Sequence, residues 1–225
     1  MIKRLIVQLT LWFVLMGVLL FGAAGTLGWA AGWWFLIVWA VPGVWLGFWL
    51  ARYDPGLLTE RLRPVMQPHQ SLWDRVFIVY IGAVWVGWMI LMPLDAERFH
   101  WSHVPAWLQS AGALAIILCT YLCFLVFRAN SFAAAVVKIQ TERGHKVIDT
   151  GPYAYVRHPM YGAALLFLAG TPLLLGSWWG LAYAWLLVAG FGYRAVQEER
   201  LLAAHLEGYT AYAERVRYRF VPHIW

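Results

Sequence analysis

Two short polar stretches hold the residues best suited to chemistry. The first, YVRHPMY, combines Arg157, His158 and Pro159 and leads into a strongly apolar run. Proline fits the first turn of a helix, where its missing N–H costs nothing, and His158 then falls at the cap. Such a helix start, beside a guanidinium and an imidazole, suits the binding of a carboxylate or a phosphate. The alternative is an ordinary helix start with Arg157 extending toward lipid headgroups.

The second stretch, YRAVQEERLLAAHLEGYTAY, places Arg194 and Glu198 four residues apart, on one face of a helix. An exposed pair at this spacing contributes only about 0.3–0.5 kcal/mol and is typical of any solvated helix. Here the pair directly follows an apolar run, at a depth where polar residues are costly and more often functional. For the arginine-rich tail RVRYRFVPHIW we favour binding of anionic lipid, with lining of the site entrance as the alternative.

The composition predicts an all-α integral membrane protein. Of the 225 residues 62% are hydrophobic and only 12% are charged, and the mean hydropathy is +0.63. Apolar runs of a length that crosses a bilayer predict about six transmembrane helices, at roughly 5–25, 29–50, 76–94, 105–127, 159–175 and 178–194. The last two are short and separated by two residues, which predicts a tight hairpin. The first run is too long for a signal peptide and is interpreted as a retained helix.

The positive charges predict the orientation. Sixteen of the seventeen Lys and Arg residues lie on one side of these six crossings. The positive-inside rule then predicts that both termini are cytoplasmic, in a plasma or inner membrane. Segments 51–75, 128–158 and 194–225 would also be cytoplasmic, and the apolar side of 51–75 predicts that it lies along the membrane interface.

Other kinds of site find little support in the sequence. Cys119 and Cys123 share one face of an apolar helix. A cysteine pair within the bilayer more often serves as small packing residues than as a disulfide or a metal site. There is no zinc-ligand spacing, P-loop or dinucleotide fingerprint, so no metal is predicted. The net charge is +6, but the basic residues fall between apolar runs, beside the membrane surface, and do not indicate nucleic-acid binding. Gly43 and Gly47 form a GxxxG pair that would allow close helix packing.

The motifs together resemble a known family. HKVIDTGPYAYVRHPMY is followed by R-x-x-x-E-E-x-x-L and then by Y-x-x-Y-x-x-R-V. This combination is similar to the isoprenylcysteine carboxyl methyltransferases, membrane enzymes that use S-adenosyl-L-methionine. The resemblance covers about 130–221. It implies an N-terminal four-helix membrane region, 1–128, and a methyltransferase-like region, 129–225, whose connecting segment and C-terminal helix form the cofactor pocket.

The resemblance also implies roles for particular residues. Arg194 and Glu198 would lie at the methyl-transfer centre. Leu202 would complete the second motif, and Tyr209 and Tyr212 would pack over the pocket. The remaining matched positions would bind the cofactor: Gln140, His145, Val147, Ile148, Tyr153, His158, Pro159, Tyr161 and Glu199.

These residues predict O-methylation of a carboxylate on a lipid-like acceptor, isoprenoid or fatty, that enters from the bilayer. A carboxylate is already anionic, and Arg194, held in place by Glu198, would orient it. An amine would first have to lose a proton. The alternatives are a phospholipid amine N-methyltransferase, a small transporter component and a sterol-type reductase. A transporter predicts ionisable residues at mid-membrane, and a reductase needs a nicotinamide site that we do not find. The oligomeric state stays open.

Overall fold

The computed structural model describes residues 1–66 and 70–225, and these residues form helices joined by turns and irregular segments. The main helices are α1 (Ile2–Ala24), α2 (Ala30–Tyr53), α3 (Pro55–Arg61), α4 (Leu72–Pro93), α5 (Ala106–Ala129), α6 (Pro159–Leu175), α7 (Trp178–His205) and α8 (Tyr209–Arg215). A π-helical turn, Leu94–Arg98, extends α4, and two short 3-10 turns lie between α5 and α6. The predicted all-α fold is confirmed for this part of the chain.

Long apolar helices identify a multi-pass membrane protein. Within the described part of the chain, four helices are long and apolar enough to cross a bilayer: Ile2–Ala24, Ala30–Tyr53, Leu72–Arg98 and Ala106–Ala129. The shorter α6 is also apolar. The count of six crossings, the α6–α7 hairpin within the membrane and the orientation of the termini stay predictions.

Helix α7 continues beyond the predicted membrane span. The span was predicted to end at Arg194, and the helix that carries Glu198 on the same face as Arg194 runs without interruption to His205. Residues 195–205 contain alanine, glutamate and leucine, which favour helix, and the helix has no glycine or proline there to end it. Glu198 and Glu199 therefore lie on the same continuous helix as Arg194.

Part of the segment 51–75 packs against the helices, and its position along the membrane interface stays a prediction. Asp54 caps α3 by accepting a hydrogen bond from the backbone N–H of Leu57 at 2.9 Å. Leu57 and Leu58 are buried in a cluster that includes Phe127 of α5. Residues 67–69 of this segment lie outside the described residues.

Helices α5 and α6 approach each other more closely than side chains would allow. A Cβ built on Gly112 would lie 2.6 Å from the carbonyl oxygen of Gly170, and one built on Gly170 would lie 2.6 Å from that of Gly112. The predicted GxxxG pair behaves differently, because Gly47 faces Leu5 while Gly43 has open space within 4 Å. This contact packs α5 against the second half of α6.

A buried aspartate anchors the turn between α6 and α7. Asp95 is fully buried and accepts hydrogen bonds from the hydroxyls of Ser102 and Ser177, at 2.7 and 2.5 Å. Ser177 also caps α7 by accepting from the backbone N–H of Gly180. These bonds hold the far end of α7, so its other end is presented to α6 at a defined register.

Candidate active site

A cavity of about 350 Å³ lies where α6, α7 and α8 meet residues 130–158, the connecting segment between α5 and α6. Ligand-binding cavities usually measure about 300–1,000 Å³, so this one can hold a small molecule. Nine of the eleven predicted site residues line it: His145, Val147, Ile148, Tyr153, His158, Pro159, Tyr161, Arg194 and Glu198. The structure therefore brings the two polar stretches of the sequence to one place.

The start of α6 is held by the C-terminal tail. His158 is the N-cap and Pro159 the first helical residue, as predicted. The backbone N–H groups of Arg157 and His158 donate to the carbonyls of Tyr218 and Arg219, at 2.9 and 2.8 Å. The tail passes so close that a Cβ on Gly162 would lie 2.4 Å from the carbonyl oxygen of Phe220.

Two of the three tail arginines pair with protein carboxylates, and binding of anionic lipid by the tail stays a prediction. Arg219 pairs with Glu199 at 3.0 Å, and its guanidinium lies over the ring of Trp225. Arg215 pairs with Asp149 of the connecting segment. The backbone hydrogen bonds to α6 place these arginines beside protein partners, so the tail forms a wall behind the cavity.

Glu199 of α7 links the start of α6 to the tail. Its carboxylate accepts hydrogen bonds from Arg157 at 2.7 Å, His158 at 3.1 Å and Arg219 at 3.0 Å. Burial opposes ionisation, but the hydrogen bonds and charges of His158, Arg157 and Arg219 outweigh it and lower the pKa of Glu199 to about 2. Glu199 lies outside the cavity lining. Arg157 and His158, which were predicted to bind an anion at the start of α6, therefore already bind a carboxylate of the protein.

Arg194 and Glu198 line the cavity with different partners. Glu198 accepts a hydrogen bond from the hydroxyl of Tyr161 at 2.9 Å. Arg194 donates to the carbonyl of Ala135 at 2.6 Å and pairs with the fully buried Asp74 of α4 at 3.8 Å. Our hypothesis assigned Glu198 to hold Arg194, whereas the structure shows Asp74 in that position. The reason is tertiary, because the packing of α4 against α7 brings Asp74 to the guanidinium.

Gln140 supports the connecting segment and lies outside the cavity lining. Its amide donates to the carbonyl of Phe132 at 2.8 Å, and its side-chain oxygen accepts from Arg143 at 2.6 Å. Its backbone N–H donates to the ring of His145, which stacks on Phe132. Burial, together with the charge of Arg143, lowers the pKa of His145 and favours its neutral form.

Comparison with known proteins identifies the region that builds this cavity. Residues 107–207 match the family model described as phospholipid methyltransferase. This match covers a little under half of the chain.

Curated relatives agree with the resemblance read from the motifs. Protein-S-isoprenylcysteine O-methyltransferase B of Arabidopsis thaliana is 31% identical over 121 residues, which are 52% of this chain and 58% of the relative. The Rattus norvegicus protein-S-isoprenylcysteine O-methyltransferase is 28% identical over 173 residues, 74% of this chain and 60% of the relative. The Schizosaccharomyces pombe enzyme is 31% identical over 91 residues, 40% of this chain and 39% of the relative. The chain thus spans less than two thirds of the length of each, and the predicted resemblance to this family is confirmed.

Tyrosines close the cavity from the side of α8. The hydroxyl of Tyr212 donates to the backbone carbonyl of Tyr153, and the hydroxyl of Tyr153 accepts from Asn130, both at 2.8 Å. Burial raises the pKa of Tyr153 and Tyr209, so both phenols stay neutral and can donate. The buried hydroxyl of Tyr209 has no hydrogen-bond partner among the described residues. A buried donor of this kind is expected to find its partner in a bound molecule.

Two charged residues of the site were missed by the sequence analysis. Asp74 lies in the first turn of α4, and Arg61, which lines the cavity, ends α3. Neither belongs to the motifs that match the family. The only sequence signal was that each carries a charge at the edge of an apolar segment, and such charges are common near a membrane surface.

Proposed function

We propose that this chain is an S-adenosyl-L-methionine-dependent methyltransferase that O-methylates a carboxylate on a lipid-like acceptor, isoprenoid or fatty, entering from the bilayer. The cavity carries the proposal, because it gathers nine motif residues from three separate segments. The relatives named protein-S-isoprenylcysteine O-methyltransferase support transfer to oxygen. Both termini would then be cytoplasmic, on the side of the cytosolic methyl donor.

The residues present fit the methyl donor. Bound S-adenosyl-L-methionine would supply a methyl group already activated on a sulfonium. Cations of this kind are attracted by aromatic faces, which Tyr153, Tyr161 and Phe191 provide in the lining. The unpartnered hydroxyl of Tyr209 can donate to the ligand. His145, the Val147–Ile148 backbone, His158 and Pro159 would complete the binding surface.

Glu199 and Gln140 would act on the donor through other residues. Glu199 fixes Arg157 and His158, and the ring of His158 stacks on Tyr161 with their centres 5.4 Å apart. Gln140 fixes the segment that presents His145. We therefore assign both a supporting role in the cofactor site.

Arg194 is suited to orient an acceptor carboxylate. Asp74 and the Ala135 carbonyl hold its guanidinium, while its buried Nε has no hydrogen-bond partner among the described residues. An acceptor oxygen can therefore take up this donor without displacing a protein group. Glu198, aligned by Tyr161, contributes a negative charge that favours a cationic group in the same cavity. The reaction then requires positioning and exclusion of water, with no general base.

The test is to identify the methylated product. Purified protein is incubated with methyl-labelled donor and an isoprenylated cysteine, offered once with a free carboxylate and once as the amide. We expect label only with the carboxylate, in a methyl ester that releases methanol in alkali. A base-stable methylated amine, formed from added phospholipid, would contradict the proposal and favour N-methylation.

Arg194→Lys should lower turnover by about tenfold or more, because lysine keeps the charge but loses the planar fork of donors. Arg200→Lys is the matched control, since Arg200 is exposed on the same helix and lies outside the cavity lining. Equal turnover in the two variants would remove Arg194 from the transfer centre.

A further inference from the structure

The cavity has more cationic side chains than it needs for its own ion pairs. Most of them are matched by protein carboxylates, in the pairs Arg157–Glu199, Arg194–Asp74 and Lys138–Glu60. Lys146 also lines the cavity but is exposed, so water screens its charge. Arg61 is the remaining arginine of the lining.

Arg61 makes its contacts, within the described residues, with neutral groups. Its Nη1 donates to the carbonyl of Ala133 at 2.9 Å and lies 3.9 Å from the sulfur of Met160. The guanidinium lies over the ring of Phe127, 4.5 Å from its centre. These hydrogen bonds use Nη1, which leaves Nη2 and Nε for another acceptor. Burial lowers the pKa of Arg61, as expected for a charge that no nearby carboxylate compensates.

We propose that Arg61 is a carboxylate-binding residue of this cavity, an inference that rests on the proposed function. Methyl transfer to a carboxylate brings two carboxylates into one cavity, that of the donor's amino-acid part and that of the acceptor. Arg157 and His158 already bind Glu199, so they do not provide a binding site for the second carboxylate.

Arg61 and Arg194 then each receive one carboxylate, since the Nε of Arg194 has no hydrogen-bond partner among the described residues although Asp74 pairs with its guanidinium. A guanidinium offers paired donors that match a carboxylate, and a poorly compensated buried charge gains most from binding an anion. The donor's carboxylate and the acceptor's carboxylate would bind a guanidinium in the same way, so the test must distinguish which of the two binds Arg61.

The test uses the full chain in detergent and compares Arg61→Gln with wild type. The probes are S-adenosylhomocysteine and its decarboxylated analogue, which lacks only the carboxylate. If Arg61 binds the donor, the variant binds S-adenosylhomocysteine about tenfold more weakly or worse and binds the analogue as wild type does. If Arg61 binds the acceptor, both dissociation constants stay unchanged and the KM for the carboxylate acceptor rises by a similar factor.

Arg63→Gln is the matched control, because Arg63 lies two residues away, pairs with Glu60 and has a side chain that is 45% exposed. It should leave both dissociation constants and the KM at their wild-type values. Arg61→Lys keeps the charge but loses the fork, so it should fall between wild type and Arg61→Gln. It also carries the test if the glutamine variant does not fold.

Three results would overturn the inference. Wild-type affinity and KM in the Arg61 variants would show that no carboxylate is bound there. Equal weakening of both probes would show that Arg61 maintains the shape of the cavity. If wild type binds neither probe, the proposed function fails and this inference fails with it, whereas the first two results leave the proposed function intact.

Discussion

Replacing Glu199 by glutamine tests whether this carboxylate organises the wall behind the cavity. The side chain is 14% exposed and accepts hydrogen bonds from Arg157, His158 and Arg219. Glutamine keeps the shape and one acceptor oxygen but loses the charge, so these donors would face a neutral amide. The pKa of Glu199 is lowered from 4.5 to about 2, and at about 1.4 kcal/mol per pKa unit this corresponds to about 3 kcal/mol. Partial exposure to water reduces this to about 2 kcal/mol.

The sign of the pH dependence follows from the lowered pKa. A carboxylate of this kind stabilises the fold fully above its unfolded pKa, and this contribution is lost as the pH falls through the folded pKa. Glu199→Gln should therefore unfold about 4–8 °C below wild type at neutral pH, and the two proteins should converge between pH 4.5 and about 2. Thermal unfolding in detergent across this pH range measures both effects.

Glu214→Gln is the matched control for Glu199→Gln, because it makes the same charge change at an exposed position of α8. It should stay within about 0.5 kcal/mol of wild type. A gap between Glu199→Gln and wild type that is equally large at neutral and acidic pH would refute the reasoning, since the effect would not depend on ionisation. Identical melting at neutral pH would show that the network does not stabilise the fold.

The other predictions concern the tail and the support of Arg194. Gly162→Ala should destabilise the protein by about 1–3 kcal/mol and expose the tail to protease, because its Cβ would lie 2.4 Å from the Phe220 carbonyl oxygen. Gly43→Ala, in open space, should be neutral or slightly stabilising, and equal effects of the two would contradict the tail contact. Asp74→Asn should cost about 3 kcal/mol in unfolding free energy by leaving Arg194 unpaired, and adding Arg194→Gln should restore part of the loss. Strictly additive losses would show that the two residues do not interact.

Local patterns in the sequence predicted the helices well where the chain is uniformly apolar. The first, second and fourth predicted spans lie within a few residues of α1, α2 and α5. The sixth predicted span ends at Arg194, whereas helix α7 continues to His205, because hydropathy marks where a helix can leave the membrane and not where it ends. Residues 195–205 favour helix and contain no glycine or proline, so the helix continues past Arg194.

Many residues of the candidate site were predicted from the sequence, but their ion pairs were not. The motifs identified nine residues of the cavity lining, including His158 and Tyr161, because each motif is a contiguous stretch that one helix start or one helix face presents. They did not show that Glu199 binds Arg157 and His158 behind the cavity, since the residue type and spacing are the same for a ligand contact and for an internal ion pair.

The sequence by itself determined the all-helical membrane class, the helix start at Pro159 and the resemblance to a methyltransferase family, since these depend on composition and on residues close together in the chain. Only the tertiary structure decided which charges meet. Asp74 reaches Arg194 across 120 positions of sequence, and Arg61 reaches the cavity through the packing of α3 against α5. An ion pair depends on a distance in space, and a separation of that length along the chain carries no information about that distance until the helices have packed.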